Sequence, residues 1–126
     1  MTSLQALLDQ EVDALRAVLA TLKDELAALH ERAPEALLAA SNAKAEAVAR
    51  AARLEQQRRD HLEANPGRPA APESRLLNEL KKLAAECRQQ NDANGLLIRG
   101  QRRRGEGSLN LLRGGSATPD TYGRDG

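Results

Sequence analysis

Residues 91–100 read NDANGLLIRG, and the fold turns on them. Asn94-Gly95 is among the strongest short turn signals a chain can carry. It stands between a helix-patterned stretch and the apolar run Leu96-Leu97-Ile98. A hairpin would need alternating apolar strands on both flanks, and neither flank has them. A helix stop with Gly95 at its C′ position is another use of the glycine. The spacing favours a third reading. Leu76 or Leu77, Leu80, Ala84, Cys87, Asn91, Asn94 and Ile98 recur at intervals of three and four, and the register survives Asn94-Gly95. That periodicity predicts one helix running through NDANG, from about residue 73 to 104. It places Asn91 and Asn94 on or beside a packed seam, where amides must find partners. Gly95 in a helix loses about 1 kcal/mol against Ala. A local rule broken in this way marks either a device that fixes helix register or a groove for a ligand.

Upstream, NPGRPAAPE (65–73) holds three prolines and a glycine and reads as a linker over 65–72. Before it, PEALLAASNAKAEAVARAARLEQQRRDHLEA predicts a second helix over about 35–64. Its expected face is Ala-rich: Leu37, Leu38, Ala45, Val48, Ala52 and Leu62, with Gln56–Asp60 polar all round and in water. The cleanest pattern comes first. Leu8, Val12, Leu15, Leu19, Leu22, Leu26, Leu29 and Ala33 alternate spacings of four and three, an a/d heptad seam within a helix over about 3–32. Thr2 or Ser3 can cap its start. Pro34 separates this helix from the next, and a short connection makes the two antiparallel neighbours. So thin an Ala seam cannot hold a hairpin alone, and the third helix must cover it. The expected fold is all-α: an elongated antiparallel helical hairpin plus a third helix, a three-helix bundle over 1–104. A flexible tail over 105–126 follows, with a Leu-rich docking segment at 108–113.

Composition agrees. The 126 residues include no Phe, no Trp and one Tyr, with 40% hydrophobic and 29% charged side chains. Leu, Ala, Glu, Lys and Arg dominate, which suits long helices and leaves a sandwich or barrel core hard to fill. A net charge of +1 carries no polyanion signature. Residues 1–33 have three basic and six acidic side chains, and residues 97–126 have six Arg and three acids. Arg99 and Arg102–Arg104 read as a solvated charge run at a helix end, with no aromatic between them to stack bases. No nucleic acid is expected as a partner. The opening TSLQALLDQEV is neither basic nor continuously apolar, and no stretch has the length of a membrane span, so a cytoplasmic protein is expected. The lone Cys87 precludes an internal disulfide and a thiolate zinc cluster, and reads as a small core hydrophobe. His30 and His61 sit among charges, and no catalytic or phosphate-binding arrangement is present. Neither an enzyme, a metal nor a cofactor is expected.

The remaining C-terminal residues carry a resemblance. Cys87, then Asn91-x-x-Asn94-Gly95-x-Leu97-Ile98, then Leu109-x-Leu111-Leu112, then Tyr122-Gly123-x-x-Gly126 resembles the C-terminal half of the FlgN family of flagellar export chaperones. Lys44 is similar to that family's central lysine. Outside residues 87–126 the likeness is that of a Leu-rich helical hairpin. The resemblance implies a cytoplasmic chaperone without catalytic activity. It implies cargo in the C-terminal helices of the hook–filament junction proteins FlgK and FlgL, and delivery to the export gate protein FlhA. Leu97, Ile98, Leu109, Leu111 and Leu112 would be apolar anchors for an amphipathic cargo helix. Asn91 and Asn94 would hold the cargo backbone or set register. Tyr122 would dock on the gate, or else fold back on the bundle. The competing expectation is a structural coiled-coil module, in which the seam of residues 8–33 pairs with a second copy as a homodimer or with another chain.

Overall fold

The computed structural model describes residues 3–112, with side chains described as far as residue 105. The chain forms three helices: α1 (Leu4–Glu31), α2 (Pro34–Ala64) and α3 (Ala71–Leu112). Helix α1 starts at Ser3, whose Oγ accepts a hydrogen bond from the Ala6 N–H at 3.1 Å. At its other end Arg32 turns into the left-handed region (φ 52°) and donates its N–H to the Leu29 carbonyl at 3.3 Å. The Ala33 N–H then reaches the Ala28 carbonyl at 3.0 Å, closing a Schellman-type cap. Pro34 sits in the first turn of α2, where a missing N–H leaves nothing unpaired. Helix α3 opens with Glu73 reaching back, its carboxylate accepting from the Ala70 N–H at 2.9 Å.

Helix α1 is the centre, because it carries two apolar seams and not one. The expected seam faces α3. Leu8, Leu22 and Leu29 on it are at most 2% exposed, each contributing about 1.5–3 kcal/mol by burial. A second heptad seam lies beside it: Leu4, Leu7, Glu11, Ala14, Val18, Glu25 and Ala28 are all buried. This one faces α2, and its two glutamates hid it from a hydrophobic reading. Leu4, Leu8 and Val12 pack with Leu80 and Leu83 at one end of the bundle, while Val18, Leu22 and Cys87 pack together further along. Helices α2 and α3 both lie on α1, yet among the described residues no Cα of α2 comes within 8 Å of a Cα of α3.

Three details differ from expectation. The face of α2 is turned by one residue. Leu38 (65% exposed) and Val48 (48%) lie outside with Ala45 and Ala52, while Ala40 and Leu54 are buried and Lys44, Ala47 and Ala51 half-buried. Charge pairing decides this. Lys44 and Arg58 must face α1 to meet Glu25 and Glu11, so the polar side chains lie inward. Arg58 is therefore not among the wet residues: its Nε donates to Glu11 Oε1 at 2.7 Å and its Nη2 to Oε2 at 3.3 Å. On α3 the seam runs Leu80, Leu83, Cys87, Gln90, Asn94, Leu97, Gln101, placing Asn91 and Ile98 at its edge. Finally, α3 begins at Ala71 and continues past residue 104 through Gly105 to Leu112, so residues 105–112 are helix, not tail. An existing helix adds one hydrogen bond per residue, and Arg102–Arg104 before the glycine are good helix formers.

Arg32 is the only non-glycine with positive φ among the described residues, and its Cβ is strained there. Arg32→Gly should raise stability by about 0.5–1 kcal/mol. Urea unfolding followed by circular dichroism would read it, and a loss of stability would show that the cap does not require the left-handed residue.

Candidate functional site

Three polar side chains of α3 fasten it to α1 at seven-residue intervals. Cys87 Sγ donates to the Leu15 carbonyl at 3.6 Å, Asn94 Nδ2 to the Leu22 carbonyl at 2.9 Å, and Gln101 Nε2 to the Leu29 carbonyl at 2.9 Å. Each accepting oxygen belongs to the α1 backbone and has a second lone pair beyond the one its own helix uses. The offset is the same in all three, so α1 and α3 run parallel and level. That register sets Glu31, the last residue of α1, beside Arg103. The turns of α3 from Arg104 to Leu112 therefore extend past the end of α1.

Asn94 is the middle rung and the most buried, with no exposed surface. Its second Nδ2 hydrogen goes to Glu25 Oε1 at 3.0 Å, and its Oδ1 accepts from Gln90 Nε2 at 2.9 Å. Glu25, 1% exposed, also receives Lys44 Nζ at 2.9 and 3.2 Å and Ser41 Oγ at 3.3 Å. All three helices thus meet in one polar knot. Burial alone would push the Glu25 carboxyl up. The hydrogen bond from Asn94, the bond and charge of Lys44, and the bond from Ser41 outweigh it and hold the group below its ordinary value. With no exposed surface and both Nδ2 hydrogens taken, Asn94 has the geometry of the register role among the two anticipated for it.

Its neighbours face outward. Asn91 is exposed, and its Oδ1 accepts weakly from Lys44 Nζ at 3.4 Å. Gly95, Ile98 and Arg99 line a cleft of about 340 Å³ with Asn91, Lys44 and the edge of Glu25. A Cβ at Gly95 would meet only the tip of Arg99, at 3.3 Å, so the glycine keeps the cleft open and is not forced by helix packing. Leu97 is half-buried on the α1 seam, whereas Leu96, which the sequence reading passed over, is 63% exposed. Leu109, Leu111 and Leu112 belong to the overhanging turns of α3, with side chains outside the described residues; Tyr122 lies outside them altogether. Burial, and after it the charge of Glu86, raises the Cys87 thiol, which therefore stays protonated as a core group and weak donor. No helix among the described residues is long and apolar enough to cross a membrane.

The bundle is thus held by polar rungs, and Leu96 is left exposed on α3. The chain belongs to the FlgN family, whose model, described as FlgN protein, matches residues 1–126. No curated protein matches it, and no solved structure does. Membership gives it the general role of a flagellar export chaperone.

The knot sets an acid limit. The Glu25 carboxyl is lower when folded, so its contribution is full above the unfolded value of 4.5 and is lost as pH falls through the folded one. Melting temperature should drop steeply below about pH 4.5. Asn94→Ala should remove about 2–3 kcal/mol at neutral pH and flatten that acid dependence. An unchanged melting curve in Asn94→Ala would dismiss the knot as a source of stability.

Proposed function

We propose that this chain is the chaperone of the hook–filament junction proteins FlgK and FlgL, binding their C-terminal helices in the cytoplasm and passing them to the export gate protein FlhA. The observation that carries this reading is the overhang. A continuous α3 projects beyond the end of α1 and carries Leu109, Leu111 and Leu112 on turns that α1 does not reach. With Ile98 and the exposed Leu96 nearer the bundle, the same helix carries these residues as apolar anchors. An amphipathic cargo helix that would otherwise self-assemble can lay its apolar face on such anchors. Asn91, at the edge of the seam and exposed, offers its amide nitrogen to the cargo backbone. Tyr122, the single aromatic of the chain, is assigned to docking on the gate, where a lone ring on a short segment gives a weak, reversible contact.

The seam of residues 8–33 is occupied by α3, which argues against the coiled-coil alternative that needs it for another chain. The deciding titration uses the C-terminal segment of FlgK or FlgL from the same cell. A chain ending at Arg104 keeps every described α1–α3 bond and should melt like the full chain, yet bind the segment about tenfold or more weakly. Equal binding by the two would remove the overhang from the cargo site. Tyr122→Ala should leave cargo binding intact and weaken capture by the cytoplasmic part of FlhA.

A further inference from the structure

Arg99 lines the cleft beside Gly95 with its charge unanswered. Its Nε is enclosed by the bundle and has no hydrogen-bond partner among the described residues. Enclosed polar atoms of folded proteins are nearly always paired, and a guanidinium keeps its charge at every physiological pH. The carboxylates nearby do not supply the partner. Glu25 is taken by Lys44, Asn94 and Ser41. Asp92 lines the same cleft, yet it makes no ion pair with Arg99 among the described contacts. Gly95 makes room for the guanidinium. The Nη1 end lies back along α3, 3.3 Å from where a Cβ at Gly95 would stand, so a side chain at 95 would crowd it.

We propose that Arg99, seated over Gly95, receives a carboxylate side chain from an amphipathic helix of the exported partner. The inference rests on the chaperone reading and deepens its site, by naming what the cargo helix must carry. Two observations choose this occupant. The first is charge. Nε and one Nη of a guanidinium form a fork that a carboxylate meets with two parallel bonds. Lys44, the other cation on the cleft, is already neutralised by Glu25 at 2.9 Å. The second is the neighbouring surface. Ile98 and the exposed Leu96 line the same cleft. A small anion would pair with Arg99 and leave both uncovered. A helix with an acidic side chain three or four residues from an apolar anchor meets both demands at once.

Titration with the C-terminal segment of FlgK from the same cell tests the pairing. Arg99→Gln removes no described bond within the bundle, so it should melt like the parent, yet bind the segment about tenfold more weakly. Arg50→Gln takes the same charge from an exposed position on α2 and should bind like the parent. Each Asp and Glu of the segment is then changed singly to Asn or Gln. One of these changes should weaken binding to the parent by a similar factor and have little further effect on Arg99→Gln, the signature of a direct pair. If the parent binds and Arg99→Gln binds equally well, the pairing is overturned while the chaperone reading stands. The same follows if no acidic side chain of the segment couples to Arg99. A loss in Asp92→Asn as large as that in Arg99→Gln would give the guanidinium to its own chain and overturn the proposal. A parent chain that does not bind the segment at all overturns both readings.

Discussion

The Asn94 amide, wedged between the Leu22 carbonyl and the Glu25 carboxylate, is the contact on which the rest of the bundle depends. Among the described residues it is the one place where α3, α1 and, through Lys44, α2 are tied in a single hydrogen-bonded unit. Leu and Ala faces are tolerant of sliding, because a heptad seam repeats and one register buries nearly as much as the next. A buried amide is not tolerant. Moving α3 by one turn would take from Asn94 both its acceptors on α1 and from Glu25 its bond to Asn94, in a nearly dry interior, each at about 1–3 kcal/mol. Cys87 and Gln101, one heptad to either side, repeat the constraint in weaker form. The rungs set which residues of α3 lie past the end of α1.

On the other side of α1, the buried glutamates do similar work by charge. Glu11 takes the fork of Arg58, and Glu25 takes Lys44, at opposite ends of the α1–α2 interface. Ion pairs of this kind add little net stability, since desolvation offsets most of the attraction. Their value is rotational: they hold α2 with its charged residues inward and leave Leu38 and Val48 outward. The same pairs keep α2 on its own seam, with its backbone away from α3.

Much of this was legible in the chain. The heptad of Leu8 to Leu29, the breaks at Pro34 and 65–70, and a third helix running through Asn94-Gly95 all follow from spacing and backbone chemistry. Asn91, Asn94 and Gly95 stood out because they break a local preference, and they do sit at the join of all three helices. The face of α2 was misread, because a hydrophobicity count treats Lys44 and Arg58 as outward when their partners lie on another helix. Leu96 was passed over for the same reason in reverse, as one more apolar residue in a run. The end of α3 was placed too early, because residues from 105 onward read as a tail, whereas glycine in a helix is only a local cost.

By itself, then, the sequence determined how many helices form, roughly where they break and which residues are out of character within them. Those are properties of the backbone and of residues a few positions apart. Only the tertiary structure decided which way α2 faces, that Asn94 is buried inside the bundle while Asn91 is not, and that the backbones of α2 and α3 stay apart. Each of these depends on a charge or an amide finding its partner dozens of residues away in the chain, and periodicity along one helix carries no information about that partner.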